Sequence, residues 1–125
     1  MRCSHCERCC QETEMELCEA DMARLERRGY RREDFSQKGA DGITRLRNTR
    51  GRCFFYDRDS KRCKEYARRP LGCAIYPVNL TADGEIIVDE DCPDADTLTP
   101  KEIRDKGRRL RSLLETIDQE AKRAQ

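Results

Sequence analysis

Cys3-Ser4-His5-Cys6-Glu7-Arg8-Cys9-Cys10 sets four thiols within one short run of the chain. A CxxC spacing lets a tight turn bring two thiolates onto one metal, and CxxCxxC places three around one ion or cluster. Adjacent side chains diverge, so Cys10 serves a second centre or bridges. The run is too dense in ligands for a regular helix or strand. Further along stand Cys53, Cys63, Cys73 and Cys92. Together these thiols suffice for two four-sulfur sites.

The rest of the composition explains why a metal would be needed. In 125 residues, 36% are hydrophobic and 41% charged, with no tryptophan. One domain is the natural unit at this length, and its apolar surface for burial is thin. Metal–thiolate bonds made only in the folded state add their binding free energy to folding, on the order of 10 kcal/mol for a structural zinc. The expected class is α+β: a small metal-stabilised cysteine-rich domain with short antiparallel strands, one short helix and a long C-terminal amphipathic helix. Residues 1–98 form the cysteine-cluster domain in this reading, and 99–125 a helix packed on it.

Disulfides compete with ligation for the cysteines, and they require an oxidising compartment. The first residues hold no apolar signal segment, and no stretch approaches the ~20 apolar residues of a spanning helix. The expectation is a reduced, cytoplasmic protein without a membrane contact. A formal net charge of +1 hides local imbalance, with acids concentrated at 83–96 and bases at 104–111.

Along the chain, a helix is predicted at 19–28, with Cys18 at the N-cap, Asp21 at N3, a Leu17–Met22 staple and Gly29 as the stop. Residues 43–56 suggest a hairpin around Arg50-Gly51 whose second strand is Cys53-Phe54-Phe55-Tyr56. A turn follows at 57–60 and a helical turn at 64–67, ended by Arg69-Pro70. Strands at 74–80 and 85–89 join at Ala82-Asp83-Gly84. Thr99-Pro100-Lys101-Glu102 starts the last helix with an N-cap, a proline at N1 and a capping-box glutamate. Its stripe is Ile103, Gly107, Leu110, Leu114, Ile117 and Ala121, which favours packing on its own domain over a coiled-coil dimer.

Small buried hydrophobe is the bland role of a cysteine, and the spacing of these eight argues against it. Cys18 differs: it reads as a capping substitute, the sharper alternative being a ninth ligand or a redox thiol whose pKa the helix N-terminus lowers. His5 is a further candidate ligand. Tyr56, Tyr66 and Tyr76 each follow a cysteine by three residues, as core packing or as phenol donors near sulfur. Cys92-Pro93 is a ligation feature of bacterial-type ferredoxins, although there it directly follows the CxxCxxC run. Glu7, Arg8, Arg52, Arg62 and Asp91 place charge beside the cysteines, which suits zinc better than an exposed cluster.

Cys3-x-x-Cys6-x-x-Cys9-Cys10, Cys53-Phe54-Phe55, Cys63-x-x-Tyr66, Arg69-Pro70-x-x-Cys73 and Cys92-Pro93 resemble the YkgJ-type cysteine-cluster family. Its members are described as zinc- or iron-chelating domains, many are labelled iron–sulfur proteins, and relatives include bacterial flagellin lysine N-methylases. The resemblance implies that Cys3, Cys6, Cys9, Cys10, Cys53, Cys63, Cys73 and Cys92 are the chelating set, holding an iron–sulfur cluster or zinc. Methyl transfer does not carry over, since no glycine-rich loop of the kind a nucleotide-like cofactor needs is present.

The function expected is an accessory or electron-transfer metal module. The alternatives are a metal-dependent enzyme related to protein lysine N-methylation, performing redox or methyl-transfer chemistry, and a zinc-scaffolded interaction module with a protein partner. Hydrolase motifs are missing from the sequence. A basic surface from Arg104, Lys106, Arg108, Arg109 and Arg111, with Arg45, Arg47, Arg50 and Arg52, raises nucleic-acid binding, against which the balanced net charge argues. A monomer, or a weak dimer through the C-terminal helix, is the expected state.

Overall fold

A computed structural model of the chain describes residues 13–90, 92 and 94–123. Cys3, Cys6, Cys9 and Cys10 of the N-terminal run, with His5, Glu7, Arg8, Asp91 and Pro93, lie outside the described residues.

Strand β1 (Glu16–Leu17) leads through Cys18 into helix α1 (Glu19–Arg27). The Asp21 carboxylate accepts the N–H of Cys18 at 3.3 Å, the return half of a capping box. Leu17 and Met22 meet in one apolar cluster, as a staple requires. Gly29, at φ +100°, ends the helix. This element matches its expectation closely.

Helix α2 (Arg32–Phe35) and strand β2 (Ser36–Lys38) have no counterpart in the sequence reading, whereas strand β3 (Thr44–Leu46) falls within the stretch expected as a hairpin. β3 is the centre of a three-stranded antiparallel sheet, ordered β1-β3-β2, with Leu17 opposite Thr44 and Ser36 opposite Leu46. The hairpin expected at 43–56 is therefore divided. Only β4 (Asn48–Thr49) and β5 (Arg52–Cys53) pair around Arg50 and Gly51. Both turn residues have positive φ, 53° and 78°, which suits the twist of a two-residue hairpin. Tyr56 belongs instead to β6 (Tyr56–Asp57), paired with β7 (Arg62–Cys63). The reason is packing: Cys53, Phe54, Phe55 and Tyr56 all contact the same cluster, whereas a continuous strand sends neighbours to opposite faces.

A second correction concerns residues 74–80. The chain makes a 3-10 turn at Tyr66–Arg68, then a short helix α3 (Leu71–Ile75), and only Val78–Leu80 forms a strand, β8. Asp21, fifty residues away, caps α3 by accepting the Leu71 N–H at 3.0 Å, a partner invisible to local patterning. β8 pairs with β9 (Ile86–Val88), Val78 facing Val88.

Helix α4 (Pro100–Arg123) begins as its capping residues require. Thr99 Oγ1 accepts the Glu102 N–H at 3.1 Å, and Glu102 Oε1 accepts the Thr99 N–H at 3.0 Å. Its buried positions are Gly107, Leu110, Leu113, Ile117 and Ala121. Leu113 thus takes the buried place expected of Leu114, which is half-buried. α4 lies on α3, β8 and β9.

The class is α+β with short antiparallel strands and a long C-terminal helix, although three short helices occur among the described residues where one was expected. Two apolar clusters fill it. One joins Leu17, Met22, Leu25, Phe35, Leu46, Cys53 and Phe55; the other joins Cys18, Ile75, Val78, Leu98, Leu110, Leu113 and Ile117.

Candidate metal centre

Cys53 ends β5 and is buried in the first cluster. Cys63 ends β7 and Cys73 lies in α3, both half-buried against that cluster. Three thiols spread over twenty residues of sequence are thus carried by separate elements onto one apolar body. Cys92 is buried on the turn after β9. Its N–H donates to the Asp89 carbonyl at 3.2 Å and its carbonyl accepts the Ala95 N–H at 3.1 Å. The Asp89 N–H in turn donates to the Pro77 carbonyl at 2.8 Å, tying this turn to the entry of β8.

Among the described residues no disulfide joins these cysteines, and no three histidine, cysteine or acidic side chains form a group that could hold an ion. The donor chemistry nevertheless fits zinc or iron. Both metals take thiolate sulfur, and a buried or half-buried thiol on a short rigid element is held ready rather than searching solvent.

Around the Cys63–Cys73 connector lies a polar network. Glu65, 5% exposed, accepts hydrogen bonds from Arg28 Nε at 2.9 Å and from the Tyr30 hydroxyl at 3.0 Å. The Arg28 guanidinium holds the Glu65 carboxyl below its ordinary pKa, against the opposing effect of burial. Burial pushes the Tyr30 phenol up, and its hydrogen bond to Glu65 adds to this. The Tyr30 ring stands edge-on to Phe55, 4.9 Å between centroids, and to Phe54 at 6.1 Å.

Cys18 belongs to the other cluster and is 2% exposed. Its pKa is raised, chiefly by burial and then by the negative charge of Asp21 beside it. The alternative of a thiol activated by the helix N-terminus is therefore disfavoured: desolvation outweighs the hydrogen bond and keeps the sulfur protonated. Of the tyrosines, Tyr76 donates its hydroxyl to Asp89 at 2.5 Å. Tyr56 lies under the Arg52 guanidinium at 5.2 Å and Tyr66 under that of Arg69 at 4.0 Å, cation–π contacts that fix these rings.

Sequence reasoning missed Asn48, Arg24, Arg28, Glu65 and the second role of Asp21. A bonding partner thirty-five or more residues away leaves no local signature in the chain. No helix among the described residues is long and apolar enough to cross a membrane.

Residues 2–104 match a protein-family model named CxxCxxCC and described as a "Putative zinc- or iron-chelating domain". No curated protein and no solved structure matches the chain.

Proposed function

The chain belongs to the CxxCxxCC family of zinc- or iron-chelating domains, and on that premise we propose that Cys3, Cys6, Cys9, Cys10, Cys53, Cys63, Cys73 and Cys92 are the donors of its metal centre. The protein acts as an accessory or electron-transfer module rather than a hydrolytic enzyme. The observation that carries this reading is the gathering of Cys53, Cys63 and Cys73, from β5, β7 and α3, against one apolar cluster. The small size of the side chain would explain one cysteine packed there, not three on independent elements, one buried and two half-buried.

Thr13, three residues beyond Cys10, is held by Asn48, which stands opposite Cys53 in the β4–β5 pair. An iron–sulfur cluster would supply one-electron transfer; zinc would supply cross-linking alone. In either case the chain's own part is to bury the sulfur donors, fix their elements and shield them from water.

Anaerobic purification followed by visible spectroscopy and elemental analysis tests the proposal. Brown protein with stoichiometric iron and sulfide supports the electron-transfer module. Colourless protein with stoichiometric zinc supports an accessory scaffold. Protein that is folded, thermally stable and free of both metals overturns the reading.

A further inference from the structure

The chain between Cys63 and Cys73 is held along its length by side chains of α1 and the residues just after it. Near Cys63, Glu65 is bonded by Arg28 and Tyr30. In the middle, Arg24 Nη2 donates to the Arg69 carbonyl at 3.1 Å, and its Nε to the Arg68 carbonyl at 3.4 Å. Near Cys73, Asp21 Oδ1 accepts the Leu71 N–H at 3.0 Å while also binding Arg24 at 2.8 Å. Asp21 has no exposed surface and Glu65 almost none.

Burying carboxylates is unfavourable unless each is paired and hydrogen-bonded. An apolar side chain at either position would pack α1 against the cluster without that cost. What only the carboxylates do is tie the connector to α1 and the residues after it: Asp21 binds the Leu71 N–H and Arg24, and Glu65 binds Arg28 and Tyr30. We propose that Asp21 and Glu65, through Arg24 and Arg28, are positioning residues that set the approach of the Cys63 and Cys73 sulfurs to the metal. This rests on the reading of Cys63 and Cys73 as metal donors.

The physical gain is preorganisation. A connector held by metal alone would charge its whole ordering entropy to the metal–sulfur bonds, whereas the hydrogen bonds to α1 and the residues after it share that cost. Groups that orient ligands without touching the metal typically change its affinity by about 10- to 100-fold. The same groups fix donor angles, which a ligand-field spectrum reads directly.

The test uses the full chain loaded anaerobically to saturation with Co2+, whose sulfur charge-transfer and ligand-field bands report thiolate number and geometry. Five variants are compared: Asp21→Ala, Arg24→Ala, Cys63→Ser, Cys73→Ser and Leu113→Ala, the last a core truncation in α4 that removes none of the connector's hydrogen bonds. Expected are weaker charge transfer in both serine variants, shifted ligand-field bands with about 10- to 100-fold lower Co2+ affinity in Asp21→Ala, and unshifted bands in Leu113→Ala. Arg24→Ala alters a partly exposed side chain, so it decides the matter should Asp21→Ala fail to fold. Bands superimposable on the native ones in Arg24→Ala, or in a folded Asp21→Ala, would overturn the positioning role while leaving the donors in place. Undiminished charge transfer in both serine variants would overturn the donor assignment itself, and the positioning role with it.

Discussion

Asn48 binds both backbone polar groups of Thr13: its Oδ1 accepts the Thr13 N–H at 2.9 Å and its Nδ2 donates to the Thr13 carbonyl at 2.9 Å. A side-chain amide thereby stands in for the neighbouring strand that the chain lacks at this point. Two residues on, the Met15 carbonyl accepts the Leu46 N–H at 3.0 Å, so the contact continues into β1 and β3. Thr13 is thereby fixed beside the hairpin that bears Cys53.

Replacing Asn48 by alanine removes both bonds. Each is worth about 1 kcal/mol net, so a loss of about 2 kcal/mol in the metal-loaded protein is expected, with faster hydrogen exchange at the Thr13 amide. Denaturant unfolding and native-state exchange measure the two effects. An unchanged Thr13 exchange rate would show that Asn48 does not hold this segment.

The two classes of cysteine separate on substitution. Cys9→Ser is expected to lose metal and fold poorly, because binding free energy is folding free energy in such domains. Cys18→Ser keeps full metal content, since serine is a favourable N-cap and Cys18 lies in the other cluster. Elemental analysis alongside circular dichroism makes the comparison; equal metal loss in both places Cys18 among the donors.

In α4, Leu113→Ala removes a side chain buried to 6% exposure in the second cluster. About 3 kcal/mol of stability is lost on transfer and cavity grounds. Leu114, half-buried at the margin of the same cluster, costs less than half as much when truncated. Urea midpoints of the two variants, at matched metal loading, settle the order.

Three of the basic residues of α4 are engaged by neighbouring groups. Arg108 pairs with Asp105, Arg111 donates to the Gly84 carbonyl at 2.8 Å, and Lys106 to that of Ala74 at 2.8 Å. With a formal net charge of +1, the expected outcome is weak retardation of duplex DNA at low salt and none at physiological salt. Binding that persists at physiological salt and declines steeply above it, as phosphate contacts require, would restore nucleic acid as a partner.

Local chemistry was legible wherever partners lie close in sequence. The Cys18–Asp21 box, the Leu17–Met22 staple, the Thr99–Glu102 box and the turn at Arg50-Gly51 each depend on residues within a few positions of one another, so the sequence alone located both main helices and one hairpin. The cysteine spacing likewise carries the family, because metal ligation constrains which residues recur at which intervals.

Tertiary structure decided the rest. Residues 74–75 are helical because Asp21, fifty positions earlier, caps α3. The β1-β3-β2 sheet joins strands too short to show an alternating pattern, and Leu113 rather than Leu114 is buried because α3, β8 and β9 set how α4 is turned. The cysteine spacing is legible in the sequence; only folding could bring Cys53, Cys63 and Cys73 to one cluster and lay α1 along the connector between two of them, since those contacts exist only once distant segments have packed together.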